Sequence, residues 1–339
     1  MWSTPVFADW RSGSACRVAS AAAVAVLLLL FAVAPMALSG YWLRVLSMVF
    51  MLAVVAQGIN LMAGYTGYPA FGNVVFFGIG AYATAMLMVN LQWSFSAAAA
   101  LAILGCITLA LLLGPPLLRL KGHYFAIATL GLNEACKELV ANAGSWTGGG
   151  VGMSLPIPPG GPAANAMRFY YLFLGLLLIA TVTTWWFGRS RLGLGCQAIR
   201  DNEEKALCSG LQTTHYKTAA WMLSAALTAA AGAIQAWWLT YIDPPTMFDM
   251  ALAVKAFAIL LLGGAGTVMG PVFGAFFVEL VANLTWSRLL NWHLGATGLI
   301  IMLVVLWFPD GFLGTGLRPK AWLGRLAGRW VTRRGVPSK

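Results

Sequence analysis

What most constrains this chain is a succession of apolar stretches, each of the ~20 residues a helix needs to cross a bilayer. About ten can be read, near 19–38, 42–63, 70–90, 94–114, 123–141, 168–187, 216–240, 252–268, 271–287 and 294–308. Charged residues make up only 9% of the sequence and hydrophobic ones 60%. A soluble domain carries about 25% charged residues, so this chain cannot cover soluble cores and must turn most of its surface to lipid. Lipid offers backbone groups no partners, and helices satisfy their own. The expected fold is therefore all-α, a polytopic transmembrane helical bundle.

Loop charge orients the bundle. Arg11 and Arg17 precede the first segment, Arg119 and Lys121 lie in loop 115–122, and Arg189, Arg191, Arg200 and Lys205 lie in loop 188–215. Loop 142–167 has no charge, and 241–251 has Asp243 and Asp249 but no base. Counting spans forward puts every basic loop on one side, which the positive-inside rule makes cytoplasmic. Both termini are then cytoplasmic. The expected division is a cytoplasmic lead at 1–18, a transmembrane domain at 19–308 and a basic cytoplasmic tail at 309–339, with 142–167 periplasmic. The first segment is too long and starts too late to favour a cleaved signal peptide over a retained span.

The net charge of +11 raises nucleic acid as a partner, but its placement argues against it. Seven of the 21 basic residues (Arg318, Lys320, Arg325, Arg329, Arg333, Arg334, Lys339) lie in the last 22 positions, where they anchor the last span at a membrane surface. The five cysteines are scattered without a CxxC pair, so neither a disulfide framework nor a metal site is read. There is no G-x-x-x-x-G-K-[ST] phosphate loop and no H-E-x-x-H. No loop is long enough for a nucleotide-binding domain. The chain is expected to be no enzyme and to hold no cofactor, and any ATP and its Mg²⁺ would sit on other chains.

Residues 64–73, GYTGYPAFGN, open a segment rich in small residues: Gly64, Gly67, Gly72, Gly78 and Gly80. Such residues let helices pack closely, or let a helix break within the membrane beside a substrate path. Asn73 would give that path a polar edge. Gly264, Gly266 and Gly270 form a second cluster, and Pro69-Ala70-Phe71-Gly72 is echoed there by Pro271-Val272-Phe273-Gly274. Glycine- and proline-interrupted segments in two halves suit a transporter built from repeats. In segment 123–141, Thr129, Asn133 and Glu134 share a polar stripe, and Glu134, Lys137 and Glu138 stand at helical spacing. The stripe reads either as path lining or as a helix end with a satisfied ion pair. Lys255 is read as snorkelling outward, whereas mid-span Glu279 needs water or a partner and is a candidate path residue.

Loop 188–215 is the longest polar insertion between spans. Asp201 or Asn202 can cap a short helix with acids in its first turn, and Gly210 can end it. Such a capped helix suits docking of a soluble partner, with a solvated connector as the plain alternative.

The segments GYTGYPAFGNVVFFGIGAYATAML, LRLKGHYFAIATL with TGGGVGMS, SRLGLGCQAIRDNEEKALCSGL, and LLGGAGTVMGPVFGAFF with WFPDGFLG carry a resemblance across most of the chain. In that order they resemble the permease subunits of branched-chain amino acid ABC importers, the LivH/LivM family and its LivM type. The resemblance implies an ABC importer permease-like fold in the bacterial inner membrane. It implies four kinds of partner: a second, LivH-like permease; two LivG/LivF-like ATPase subunits; a periplasmic substrate-binding protein; and the bilayer. ABC importer permeases meet their ATPases through an E-A-A-x-x-x-G type loop. Here Glu204-Lys205-Ala206-Leu207-Cys208-Ser209-Gly210 matches it with Lys205 at the middle alanine. The implied coupling residues are Arg200, Asp201, Glu203, Glu204, Ala206 and Gly210. Where many relatives have a small polar residue in G-x-x-G-x-x-S-x-G-x, this chain has Pro69-Ala70-Phe71-Gly72, which leaves the solute open among branched-chain amino acids, urea, amides and other small polar molecules. The alternative class is a stand-alone secondary transporter with Glu134 or Glu279 as its ion-coupling site.

Overall fold

The structure, a computed structural model, describes residues 31, 33–35, 38–288, 298 and 311. Most of expected segment 19–38, all but one residue of 294–308, and nearly all of the two terminal regions 1–18 and 309–339 lie outside the described residues.

The eight expected segments from 42–63 to 271–287 are helices: α1 Gly40–Ile59, α2 Val74–Asn90, α3 Phe95–Leu117, α4 His123–Asn142, α6 Pro162–Arg189, α9 Thr213–Leu239, α11 Met250–Gly263 and α12 Gly270–Arg288. Between them lie four short helices: α5 Gly144–Thr147, α7 Arg191–Asp201, α8 Glu203–Cys208 and α10 Pro244–Met247. Among the described residues, six stretches are long and apolar enough to cross a membrane: Gly40–Gly64, Phe71–Asn90, Phe95–Leu117, Pro162–Arg189, Thr213–Leu239 and Pro244–Gly263. The Gly270–Thr285 part of α12 is a shorter apolar helix. The expected segment 252–268 ends early, at Gly263, because Gly264 and Gly266 take φ of +111° and +81° and turn the chain out of the helix.

Helices α1, α2 and α9 form the interior. They are the most buried of the membrane-length helices, and α9 packs on α1, α2 and α3. Between membrane helices there is no hydrophobic gain from leaving lipid, so close contact and interhelical hydrogen bonds must hold them. A Cβ on Gly80 would lie 2.5 Å from the Ala229 carbonyl, and one on Gly232 would strike the Phe77 carbonyl. Ser224 donates through Oγ to the Gly58 carbonyl at 2.5 Å. By contrast α3 and α6 expose Leu104, Leu111, Leu112, Ile179 and Val182, a surface suited to lipid.

The loops sort to two ends. At one end Arg200 reaches Gly64, Lys217 reaches Leu118, and Gly266 reaches Asn60, so loops 65–70, 118–122, 190–212 and 264–269 meet there. This end holds Arg119, Lys121, Arg191 and Lys205. At the other end a small antiparallel pair, β1 Met153–Ser154 with β2 Tyr241–Ile242, ties loop 143–161 to 240–249. That pair departs from the expected all-α reading, since strands of two residues leave no period in a sequence.

Candidate functional site

The basic end is where loop 188–215 meets the bundle. Ser190 caps α7 by accepting from Gly193 N–H at 3.1 Å. Asn202, not Asp201, caps α8: its Oδ1 accepts from Lys205 N–H at 2.9 Å. Glu203 and Glu204 fill the first turn, where the helix N-terminus favours negative charge. At the other end of α8, Leu211 N–H bonds the Ala206 carbonyl and Gly210 N–H bonds the Leu207 carbonyl, with Gly210 at φ +83°. This is a Schellman ending, and it explains the glycine that closes the E-x-A-x-x-x-G match.

One side of this helix pair is bound to the bundle. Lys217, with 2% of its side chain exposed, donates to Glu203 Oε1 at 2.7 Å, Tyr68 Oη at 3.1 Å and the Leu118 carbonyl at 3.0 Å. Tyr68 Oη donates to Glu203 Oε2 at 2.5 Å, and the Lys217 ammonium lies 4.3 Å from the Tyr68 ring centre. Burial alone would raise the Glu203 carboxyl. The hydrogen bonds from Lys217, Tyr68 and Thr213 and the charge of Lys217 outweigh it and hold the group below its ordinary 4.5. Arg200 donates through Nη1 to the Gly64 carbonyl at 2.5 Å, and its side chain packs on Gly67, which has φ +76°.

The other side is open. Asp201, Glu204 and Gly210 are exposed, with Glu204 3.8 Å from Lys121, whereas Ala206 is buried. Beside α8 lies an open cleft of about 430 Å³ lined by Pro115, Arg119, Leu207, Gln212, Thr213, Thr214 and His215. The coupling residues named from the sequence thus divide: Arg200 and Glu203 hold the bundle, Ala206 packs, and Asp201, Glu204 and Gly210 face outward.

Where the two glycine clusters meet, the backbone is held by amides. Asn60 sits in a π turn, Asn60–Gly64, that extends α1. Its Nδ2 donates to the Thr267 carbonyl at 2.9 Å and its Oδ1 accepts from Gly266 N–H at 2.8 Å, while Gln57 Nε2 donates to the Val268 carbonyl at 2.6 Å. A Cβ on Gly64 would lie 2.6 Å from Gly266 N, and one on Gly270 would lie 2.6 Å from the Gly264 carbonyl. The echoed glycines share a task as well: Gly72 closes on the Thr129 carbonyl of α4, and Gly274 on the Ile259 carbonyl of α11. Gly78 leaves room for the Phe248 ring.

Three candidate path residues are interior and neutral. Asn73 donates through Nδ2 to Thr228 Oγ1 at 2.9 Å, Thr129 Oγ1 accepts from Gly72 N–H at 3.2 Å, and Asn133 Nδ2 donates to the Phe248 carbonyl at 3.0 Å. Asn73 Oδ1 and Asn133 Oδ1 are buried without a protein partner. The two acids differ. Glu134 is exposed and paired with Lys137 on its own helix. Glu279 pairs with Lys255 across α11 and α12 at 2.7 Å, so Lys255 turns inward rather than snorkelling. Asn283 Nδ2 donates to Glu279 Oε1 at 3.3 Å and accepts at Oδ1 from Tyr41 Oη at 3.3 Å.

Lys217, Gln57 and Asn60 escaped the sequence reading. The available signal was a lysine in the first turn of an apolar segment, and two amides at the end of another.

Residues 41–307 match the family described as the branched-chain amino acid transport system permease component. The chain belongs to this permease family. This permease is 29% identical over 314 residues to the high-affinity branched-chain amino acid transport system permease protein LivM of Salmonella typhimurium, covering 84% of this chain and 73% of that protein. It is 24% identical over 289 residues to the corresponding LivH protein of the same organism, covering 77% and 91%. It is also 28% identical over 215 residues to the autoinducer 2 import system permease protein LsrC of Salmonella paratyphi B, covering 59% and 58%. No solved structure matches the permease significantly. Family and apolar helices together make it a multi-pass membrane permease of the ABC transporter class.

Proposed function

We propose that this permease is one half of the translocation unit of an ATP-driven importer in the bacterial inner membrane, carrying a branched-chain amino acid or a related small polar solute. A second, LivH-like permease completes the passage, two ATPase chains bind ATP and Mg²⁺, and a periplasmic binding protein delivers solute. The observation that carries this reading is the two-sided construction of α7 and α8. One side is clamped to the bundle by Glu203–Lys217 and Arg200–Gly64, and the other presents Glu204, Leu207 and an open cleft of about 430 Å³ to a soluble partner. A solvated connector has no need of a buried ion pair.

The basic residues gathered at that end favour a cytoplasmic position, where ATP is. Asn73, Thr129 and Asn133 are suited to a neutral or zwitterionic solute, because they offer hydrogen bonds without a fixed charge. The relatives' names span amino-acid and autoinducer 2 import, so the solute class is kept broad. A stand-alone carrier coupled through Glu134 or Glu279 is less favoured, because both carboxylates are ion-paired, Glu134 with Lys137 and Glu279 with Lys255. The experiment is purification of tagged permease from membranes of cells that also express the ATPase chains. Retention of both ATPases is expected; a permease that imports solute with none retained refutes the reading.

A further inference from the structure

The buried cluster around Lys217 does more than fasten a loop. Its four members come from four places: Tyr68 from the turn joining α1 to α2, Leu118 from the end of α3, Glu203 from α8 and Lys217 from near the start of α9. Lys217 is a fourfold hub, with three hydrogen bonds of 2.7–3.1 Å and a cation–π contact at 4.3 Å. Its ammonium has three protons, and three acceptors take them. Both Glu203 oxygens are engaged as well, one by Lys217 and one by Tyr68. A charge pair with its lysine buried, all three ammonium protons accepted and both carboxylate oxygens engaged is stiff, because displacement strands the lysine's charge out of water.

The direction of this stiffness matters. α9 is the helix that packs on α1, α2 and α3, and it carries Thr228, the partner of Asn73. Glu203 sits one residue from Glu204 on the exposed face of α8. A push on α8 therefore reaches the base of α9 through one ion pair, and from there the interior hydrogen bonds near Asn73.

We propose that Glu203 and Lys217 are positioning residues that transmit movement of the α7–α8 pair to α9, and that this link stays closed through the transport cycle. The inference rests on the importer reading given above. It assigns to Glu203 a role other than contact with the ATPase, and to Lys217 a role that no motif in the loop predicts.

The test uses the whole complex in proteoliposomes, with solute uptake and ATP hydrolysis measured in the same preparation. A double variant, Glu203→Leu with Lys217→Met, replaces the pair by packed apolar groups and leaves no charge stranded. The expected result is that both ATPases stay bound and hydrolysis continues, while solute moved per ATP falls by about tenfold or more, the factor that loss of a charged hydrogen bond carries. Tyr68→Phe, which removes the hydroxyl's two hydrogen bonds but leaves the Glu203–Lys217 ion pair, should give a smaller loss in the same ratio. An unchanged ratio in the double variant overturns the inference, since the ATPases then drive the bundle by another route. Failure of the double variant to assemble also overturns it, by reducing the pair to a folding role. A wild-type complex that retains no ATPase refutes the importer reading itself and takes this inference with it.

Discussion

Lys217 Nζ lies 2.7 Å from Glu203 Oε1 with 2% of the lysine side chain and 17% of the glutamate exposed. This pair closes the polar loop onto the helix bundle, and its removal should be felt asymmetrically. Lys217→Met alone leaves Glu203 and Tyr68 without their cation and should cost about 3–5 kcal/mol. Replacing both charges by apolar residues should restore most of that stability. Thermal unfolding of the purified protein in detergent, single against double variant, checks the asymmetry; equal losses would show that the pair contributes packing only.

The same carboxylate predicts a pH dependence. Glu203 is held below its ordinary 4.5, so the folded state favours its ionised form. Its contribution to stability is therefore present above pH 4.5 and lost as pH falls through the lowered folded value. The melting temperature should be insensitive to this group near neutrality and should decline below pH 4.5. Glu203→Gln should be less stable near neutrality and show a shallower acid decline. Parallel acid limbs for the two proteins would remove Glu203 from the account.

Glycines in this bundle should sort by what stands beside them. A methyl group on Gly232 would meet the Phe77 carbonyl and one on Gly72 the Thr129 carbonyl, whereas nothing lies within 4 Å of one on Gly105 or Gly131. Gly232→Ala and Gly72→Ala should each cost about 1–3 kcal/mol through forced separation of helices. Gly105→Ala and Gly131→Ala should be neutral or slightly stabilising. Gly210 is a third kind: open space surrounds it but φ is +83°, so Gly210→Asn should be tolerated and Gly210→Val should not. Comparative melting of the set checks all of these.

Glu279→Gln tests the energy source from the membrane side. Glu279 is already neutralised by Lys255 at 2.7 Å, so the variant should keep uptake within about threefold, losing an ion pair but not a coupling site. Abolition of uptake with a changed dependence on the ion gradient would instead place ion coupling there.

Much of the fold was open to reading, because its drivers act along the chain. Apolar length gave the helices, basic residues sorted the loops, and the Asp201-Asn202 pair and Gly210 marked the two ends of α8 from local chemistry, with the structure choosing Asn202 as the cap. What stayed hidden depends on partners distant in sequence. Lys255 alone looks like a snorkelling lysine, and only the crossing of α11 over α12 brings Glu279 to it. Glu203 and Arg200 read as docking residues until Lys217 and Gly64 are placed beside them. The π turn at Asn60 and the strand pair at 153–154 and 241–242 are too short to impose a period, so sequence carried no trace of them.

The proposed importer has ATPase chains acting on α7 and α8 to drive solute through this permease. The most direct measurement is uptake of labelled branched-chain amino acid into cells expressing the complete complex, with the phosphate-binding lysine of the ATPase chains replaced. Uptake is expected to fall to background while the complex still assembles. Uptake that persists and follows the membrane ion gradient would contradict the importer reading.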